Sequence, residues 1–165
     1  MSTVSCSTIS CMSGSSLNAW RAVVNTHATV TDRVQKALVA ADLPPLSWFE
    51  LLQAVNTMSS SDGYPRMSEL ADWLTLSRGG ITKLVDRLQQ SGYIERVSCD
   101  EDRRALHARL TPAGEEMLEE MRAVCETELE HHLRTLSAEE AELITAALAK
   151  ITASTCESEK VPAAG

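Results

Sequence analysis

The stretch that decides the fold is residues 67–92, which read MSELADWLTLSRGGITKLVDRLQQSG. Apolar residues recur there at steps of three and four, a spacing that places them on one face of a helix. Thr75, Leu76 and Ser77 interrupt this spacing, and Ser77 stands where an N-cap serine would begin a second helix. Gly92 follows the last apolar residue, as a C′ glycine does. The stretch therefore predicts two short helices, about 67–74 and 78–91, joined by a tight turn.

The residues that follow predict a small hairpin. Segments 93–98 and 105–110 are extended in character, with apolar and polar residues alternating in the second, and the polar residues Cys99–Arg104 join them. A helix-turn-helix followed by a two-stranded hairpin is the order of a winged helix-turn-helix. Thr111 and Pro112 then have the N-cap and N1 types that begin another helix.

Longer helical patterns flank this lobe. Residues 17–41 and 111–153 carry apolar stripes at helical spacing, and the four-residue segments beginning at Ser47 and Ser137 fit capping boxes. We predict a mainly α fold with a small β-hairpin wing, in which a winged helix-turn-helix lobe at about 47–110 lies between N- and C-terminal dimerisation helices. Residues 17–153 form one domain in this prediction, and 1–16 and 154–165 are flexible tails.

Composition and charge restrict the class of protein. The chain has 165 residues and a formal net charge of −8, and no run approaches the ~20 apolar residues that span a bilayer. The N-terminus lacks the features of a targeting signal, so we expect a cytoplasmic protein with no membrane partner. Twelve of the 23 acidic residues follow Thr111, whereas residues 78–109 hold seven basic and five acidic residues. This asymmetry permits binding to nucleic acid despite the acidic total.

The second short helix carries the candidate DNA-binding residues. Its polar face holds Arg78, Gly79, Thr82 and Lys83, together with Asp86. Arginine and lysine bind phosphate or guanine, threonine bonds to base edges or contacts a thymine methyl, and a glycine in the first turn allows close backbone approach. In the wing, Arg103 and Arg104 have the type and place for minor-groove or phosphate contacts. A solvated helix face is the alternative interpretation of the same residues.

At this point the sequence resembles the MarR family of transcriptional regulators over about residues 17–153. The matching motifs are Met67-Ser68-Glu69-Leu70-Ala71, Leu76-Ser77-Arg78, Thr82-Lys83-Leu84-Val85-Asp86-Arg87-Leu88, Gly92-Tyr93-Ile94-Glu95-Arg96, Asp102-Arg103-Arg104 and Leu110-Thr111-Pro112-Ala113-Gly114. The resemblance implies a dimeric, ligand-responsive regulator, usually a repressor, whose outer helices interlock as the dimer interface. It also implies that the helix matching 77–90 enters the major groove and that the wing matching 98–104 touches the minor groove.

By this match we assign recognition contacts to Ser77, Arg78, Thr82 and Lys83, and a wing contact to Arg103 or Arg104. Their expected partner is double-stranded DNA with an inverted-repeat operator, because a two-fold dimer reads two half-sites about one helical turn apart. The Gly79-Gly80 pair departs from the bulkier residues usual in the family at these positions.

The resemblance also suggests a small aromatic ligand, since members of the family commonly bind aromatic acids between the dimer helices and the DNA-binding lobe. On the first helix, Trp20, Arg21 and His27 supply a flat ring, a fixed cation and an imidazole near that expected crevice. Trp20 and His27 also fit the alternative of interface packing, because both fall on the apolar stripe.

Two other functions stay open at this point. A thiol-based redox sensor is one, with Cys99 beside the wing the best candidate among the five cysteines. A winged-helix protein-interaction module that does not bind DNA is the other. We expect no enzyme, metal or cofactor, because the sequence has no nucleophile–base pair, phosphate loop or metal-ligand spacing.

Overall fold

The computed structural model describes residues 14–60, 63–98 and 106–158. Its elements are α1 (Gly14–Ala40), α2 (Leu46–Met58), α3 (Met67–Trp73), α4 (Arg78–Gln90), β1 (Ile94–Ser98), β2 (Leu106–Leu110), α5 (Pro112–Leu133) and α6 (Ala138–Ser158). The chain divides into two units, one ending at Glu128 and one beginning at Leu129, so that α5 crosses the boundary. The predicted fold class, mainly helical with a winged helix-turn-helix lobe, is confirmed.

The helix-turn-helix consists of α3 and α4, and its local signals act as the sequence predicts. The hydroxyl oxygen of Ser77 accepts a hydrogen bond of 3.1 Å from the amide of Gly80, which caps α4. The residues that α4 buries are the four predicted ones, Ile81, Leu84, Val85 and Leu88. Full burial of such side chains stabilises a fold by about 1.5–3 kcal/mol each, so the opposite face of α4 is held outward.

The wing is an antiparallel pair in which Ile94 lies opposite Leu110. A third segment, which we did not predict, pairs with the outer edge of β2. The amide of Ala108 donates a 3.1 Å hydrogen bond to the carbonyl of Pro65, and Arg66 forms a bridge with His107. The wing base is therefore tied to the residues immediately before α3.

The start of α5 is fixed against the end of α4. Gly92 adopts φ +79°, which confirms it as a C′ glycine. The hydroxyl of Thr111 donates to the carbonyl of Gly92 at 2.6 Å and accepts from the amide of Gly114 at 3.0 Å, so Thr111 is the predicted N-cap. Gly114 is buried against the backbone of Tyr93, and a β-carbon there would lie 2.0 Å from the Tyr93 carbonyl oxygen.

The predicted capping box at Ser47 is wrong. Helix α2 begins two residues earlier than this prediction, at Leu46, and Pro45 occupies the N-cap position with no side-chain cap. The amide of Leu46 instead donates a 3.0 Å hydrogen bond to the side-chain oxygen of Gln35 on α1. A side chain distant in sequence supplies the acceptor, which a local pattern cannot reveal.

The outer helices differ in length from the prediction. Helix α1 begins at Gly14 and α6 continues to Ser158, so residues 14–16 and 154–158, predicted as tails, are helical. Adding a residue to an existing helix is far easier than nucleating one, which accounts for these extensions. Residues 1–13 and 159–165 lie outside the described residues.

In the second unit, the predicted capping box at Ser137 is confirmed. The Ser137 amide donates to the Glu140 carboxylate at 2.8 Å, and the Glu140 amide donates to the Ser137 hydroxyl oxygen at 3.2 Å. Hydrogen bonds from Ser137 lower the pKa of Glu140. Within the described ranges, no helix is both long and apolar enough to cross a bilayer.

Candidate nucleic-acid interface

The outward face of α4 holds five of the residues predicted to contact DNA. Ser77, Arg78, Gly79, Thr82 and Lys83 are all exposed. Neither Arg78 nor Lys83 forms an ion pair with any described residue. The face therefore offers two cations that no described carboxylate neutralises, on a helix whose other side is held in the core.

The two hydroxyl residues of this face keep part of their hydrogen-bonding capacity. Thr82 donates its hydroxyl hydrogen to the carbonyl of Arg78 at 2.8 Å, which leaves its oxygen as an acceptor and its methyl group for apolar contact. Ser77 uses its oxygen to cap α4 and retains its hydroxyl hydrogen as a donor. A donor can bind a phosphate oxygen or an acceptor on a base edge. An acceptor can bind a base amine, and a methyl group can contact the thymine methyl.

Asp86 does not belong to the free polar face on which we placed it. It is half-buried, and its Oδ1 accepts a 2.5 Å hydrogen bond from Nη2 of Arg96 on β1. The pair links α4 to the wing and neutralises a carboxylate that would otherwise repel phosphate. No local pattern in the sequence indicates this pair, because the partners lie on different elements.

A second ion pair lies at the base of the wing. Arg109 donates from Nε to Glu95 at 2.6 Å, directly across the strand pair, and its guanidinium carbon lies 5.4 Å from the centre of the Tyr64 ring. Arg96 and Arg109 are therefore engaged within the lobe and are poor candidates for DNA contacts. The predicted wing contacts, Arg103 and Arg104, lie outside the described residues.

The residues predicted to bind a ligand lie on the exposed surface of α1. Trp20 is 62% exposed, and Arg21 and His27 are also exposed. His27 acts electrostatically on Glu50 of α2: burial raises the pKa of Glu50, and the nearby imidazole opposes that rise. The structure thus relates His27 to a carboxylate of its own chain.

A groove of about 590 Å³ between α2 and α5 has an acidic lining, unlike the basic and aromatic residues predicted to bind a ligand. Its lining consists of one amide, one leucine and four carboxylates, from Asn56, Leu118, Glu115, Glu116, Glu119 and Glu120. An acidic lining disfavours an anionic ligand, so this groove does not fit an aromatic carboxylate.

The one cysteine whose thiol the structure describes, Cys125, is poorly suited to redox sensing. Cys99 lies outside the described residues. Cys125 on α5 is buried and unbridged, and burial raises the pKa of its thiol to about 11. Because the thiolate is the reactive form, this environment suppresses the reactivity of Cys125. No group of three or more potential metal ligands occurs in the part of the chain that the structure describes.

Comparison with known proteins shows which family the helix-turn-helix lobe resembles. Residues 41–105 match the family model described as MarR family. A stretch of 72 residues is 40% identical to the transcriptional repressor MprA of Escherichia coli, which corresponds to 43% of this chain and 41% of the relative. The chain therefore spans about two fifths of that curated relative, and the predicted MarR resemblance is confirmed for this central region.

Solved structures extend the similarity of fold beyond residues 41–105. AbsC, a MarR-family regulator from Streptomyces coelicolor, superposes with a TM-score of 0.77 at 23% identity, covering 88% of this chain and 97% of that one. Sco3205, a MarR-family regulator from the same organism solved in complex with DNA, gives a TM-score of 0.78 at 22% identity, with 92% and 97% covered. At these identities the comparison establishes the fold.

Proposed function

We propose that this protein is a dimeric, sequence-specific DNA-binding transcriptional regulator that acts as a repressor in the cytoplasm. The observation that carries the proposal is that Arg78 and Lys83 on α4 are exposed and form no ion pair with a described residue, on a helix whose apolar face is fixed in the core. The family match of residues 41–105 and the repressor among its relatives support the same function. A regulator of this kind is not an enzyme.

In this proposal α4 enters the major groove of an inverted-repeat operator. Arg78 and Lys83 bind guanine edges or phosphates, Thr82 accepts from a base amine or contacts a thymine methyl, and Ser77 donates to a phosphate. Gly79 allows the backbone of the first turn to approach the DNA closely. Arg103 or Arg104 of the wing contacts the adjacent minor groove.

Dimerisation is proposed from exposed apolar side chains on the outer helices. On α6, Leu143, Ile144 and Ile151 are 70%, 46% and 57% exposed, and on α1 Leu17 and Val24 are each 41% exposed. Each set recurs at a spacing that defines one helix face, and contiguous apolar surface of this kind marks protein–protein contact. A second copy of the chain would cover both faces.

A small aromatic carboxylate is the proposed inducer. Trp20 would stack on the ring, Arg21 would bind the carboxylate, and His27 would add a hydrogen bond from the edge of the site. The exposure of all three residues in the single chain supports their availability. A ligand carboxylate there would compete with Glu50 for His27.

The DNA-binding proposal is tested by selecting sites from random duplexes and then measuring fluorescence anisotropy at several salt concentrations. Arg78→Ala and Lys83→Ala should each weaken binding of the selected site by about 1–3 kcal/mol, with little change in melting temperature. Lys36→Ala is the matched control, because Lys36 is an exposed lysine on α1 paired with Asp32. If the parent selects no duplex, the protein-interaction module becomes the better hypothesis.

The dimer is tested by light scattering, which should give twice the chain mass of 18.0 kDa. Leu143→Glu should shift the population toward monomer, because it places a charge within the apolar face of α6. Thr145→Glu is the matched control, since two residues correspond to about 200° around a helix and Thr145 lies away from that face. A folded monomer for the parent at micromolar concentration would contradict the dimer.

A further inference from the structure

Among the described residues, three helices end in the same backbone motif, and one of the three motifs contains a residue that is unsuited to positive φ. In each motif, the backbone amides of two consecutive residues just past the helix donate hydrogen bonds to carbonyls of its last turn. The first of these two residues has positive φ. The bonds run from Leu43 to Leu38 after α1, from Leu76 to Ala71 after α3, and from Tyr93 to Leu88 after α4, at 2.9, 2.8 and 2.9 Å. The residues with positive φ are Asp42 (57°), Thr75 (53°) and Gly92 (79°).

These three residues differ in how well they tolerate positive φ. Glycine has no β-carbon and adopts it without steric cost, and aspartate tolerates it through its short polar side chain. Threonine is branched at the β-carbon, so positive φ is a genuine outlier for it, and such strain persists only where surrounding contacts enforce it. Thr75 therefore destabilises the turn that leads into α4.

Nothing described within the chain compensates for this cost. Thr75 is exposed, and its hydroxyl forms no hydrogen bond with the described residues. Its backbone amide donates to Asp72, as the motif requires whatever the side chain. The side chain of Thr75 therefore contributes no described contact to the folded lobe.

Gly79, four residues later, is also a residue that the described fold does not require. A β-carbon added there would have no atom within 4 Å, so the fold has room for a larger residue. Alanine would also favour the helix, because glycine inside a helix is the less stable choice. At Gly80, by contrast, a β-carbon would lie 3.3 Å from the Ser77 hydroxyl oxygen. Close packing within the fold therefore favours glycine at position 80.

Thr75 and Gly79 flank Ser77 and Arg78, which the proposed function assigns to DNA contacts, and both are exposed. We propose that Thr75 is an additional DNA contact, whose hydroxyl donates a hydrogen bond to a phosphate oxygen beside the groove that α4 enters. A neutral donor at that position binds the backbone of any sequence, so Thr75 positions the recognition helix without selecting bases. The inference rests on the proposed function and deepens it.

Three variants test it on the full chain, with a duplex selected by the parent protein. Thr75→Gly removes both strain and hydroxyl, so it should raise the melting temperature and weaken binding about three- to tenfold, the usual range for one lost hydrogen bond. Thr75→Asn tolerates positive φ and keeps a side-chain donor, so it should raise the melting temperature and bind like the parent. Asp42→Gly is the matched control at the end of α1 and should leave binding unchanged.

The salt dependence supplies a second readout. Loss of a neutral hydroxyl releases no counterion, so Thr75→Gly should keep the parent's slope of log affinity against log salt, whereas Lys83→Ala should flatten it. If Thr75→Gly binds as tightly as the parent, or Thr75→Gly and Thr75→Asn are weakened equally, the Thr75 contact is wrong and the proposed function stands. If the parent itself selects no duplex DNA, the proposed function fails, and this inference fails with it.

Discussion

The Nη2 of Arg96 lies 2.5 Å from the Oδ1 of Asp86, and this bond fastens α4 to the first strand of the wing. The Asp86 side chain is 43% exposed and that of Arg96 25%, so the pair lies at the edge of the lobe rather than in its core. Because the wing and α4 are proposed to touch DNA together, a link that fixes their relative position should matter for both stability and binding.

We expect Asp86 and Arg96 to be energetically coupled. In a double-mutant cycle with Asp86→Asn and Arg96→Gln, the coupling free energy of unfolding should be about 1 kcal/mol, since partial exposure screens the pair. Denaturant unfolding of the four proteins measures it. The cross-strand pair Glu95 and Arg109 provides a comparison that does not involve α4. Additive effects of the two Asp86–Arg96 substitutions would mean that this pair carries no stability.

Gly114→Ala should destabilise the fold strongly. The added β-carbon would lie 2.0 Å from the Tyr93 carbonyl oxygen and 2.9 Å from its carbon, and backbone atoms cannot turn aside as a flexible side chain would. We expect a loss of about 1–3 kcal/mol or more, measured by urea unfolding. Gly79→Ala, a helical glycine in open space, is the control and should stabilise by up to about 1 kcal/mol.

Cys125 should resist alkylation in the folded protein. With a pKa of about 11, roughly one thiol in a thousand is ionised at pH 8, and burial restricts access further. Brief treatment with iodoacetamide followed by peptide mapping should label Cys125 only after denaturation. Rapid labelling of Cys125 in the native protein would instead return it to the candidates for redox sensing.

Glu50→Gln should stabilise the protein at neutral pH and have little effect in acid. Burial raises the pKa of Glu50 in the folded state above its ordinary value of 4.5, so folding favours the protonated carboxyl. The stability from this group is full below the unfolded pKa and is lost as the pH rises through the raised folded pKa. At pH 7 the variant should melt above the parent, and the difference should shrink toward pH 4. Thermal melts at several pH values measure this, and a difference that does not change with pH would contradict the assignment.

His27 provides the control for that experiment, because its imidazole opposes the rise in the pKa of Glu50. In His27→Ala this opposition is lost, so the pH-dependent part of the Glu50→Gln effect should extend to higher pH. If the profile does not move, the electrostatic contact between α1 and α2 has no effect on stability.

The sequence by itself determined the elements whose signals are local. Ser77 and Thr111 cap the helices they were expected to cap, and α4 buries its predicted apolar face. These features depend on residues three or four apart, where helix geometry alone decides which groups meet. The order of short helices and hairpin then specified a winged helix-turn-helix.

Contacts between residues distant in the chain were decided only by the tertiary structure. Gln35 takes over the capping that we assigned to Ser47, and Asp86 turns to Arg96 instead of remaining on the free polar face. The strain at Thr75 is likewise a property of the folded turn, because the sequence names the residue but not its φ. Which side chain reaches a given backbone group depends on how whole elements pack. Spacing along one helix therefore predicts that helix's faces but not the partners those faces meet.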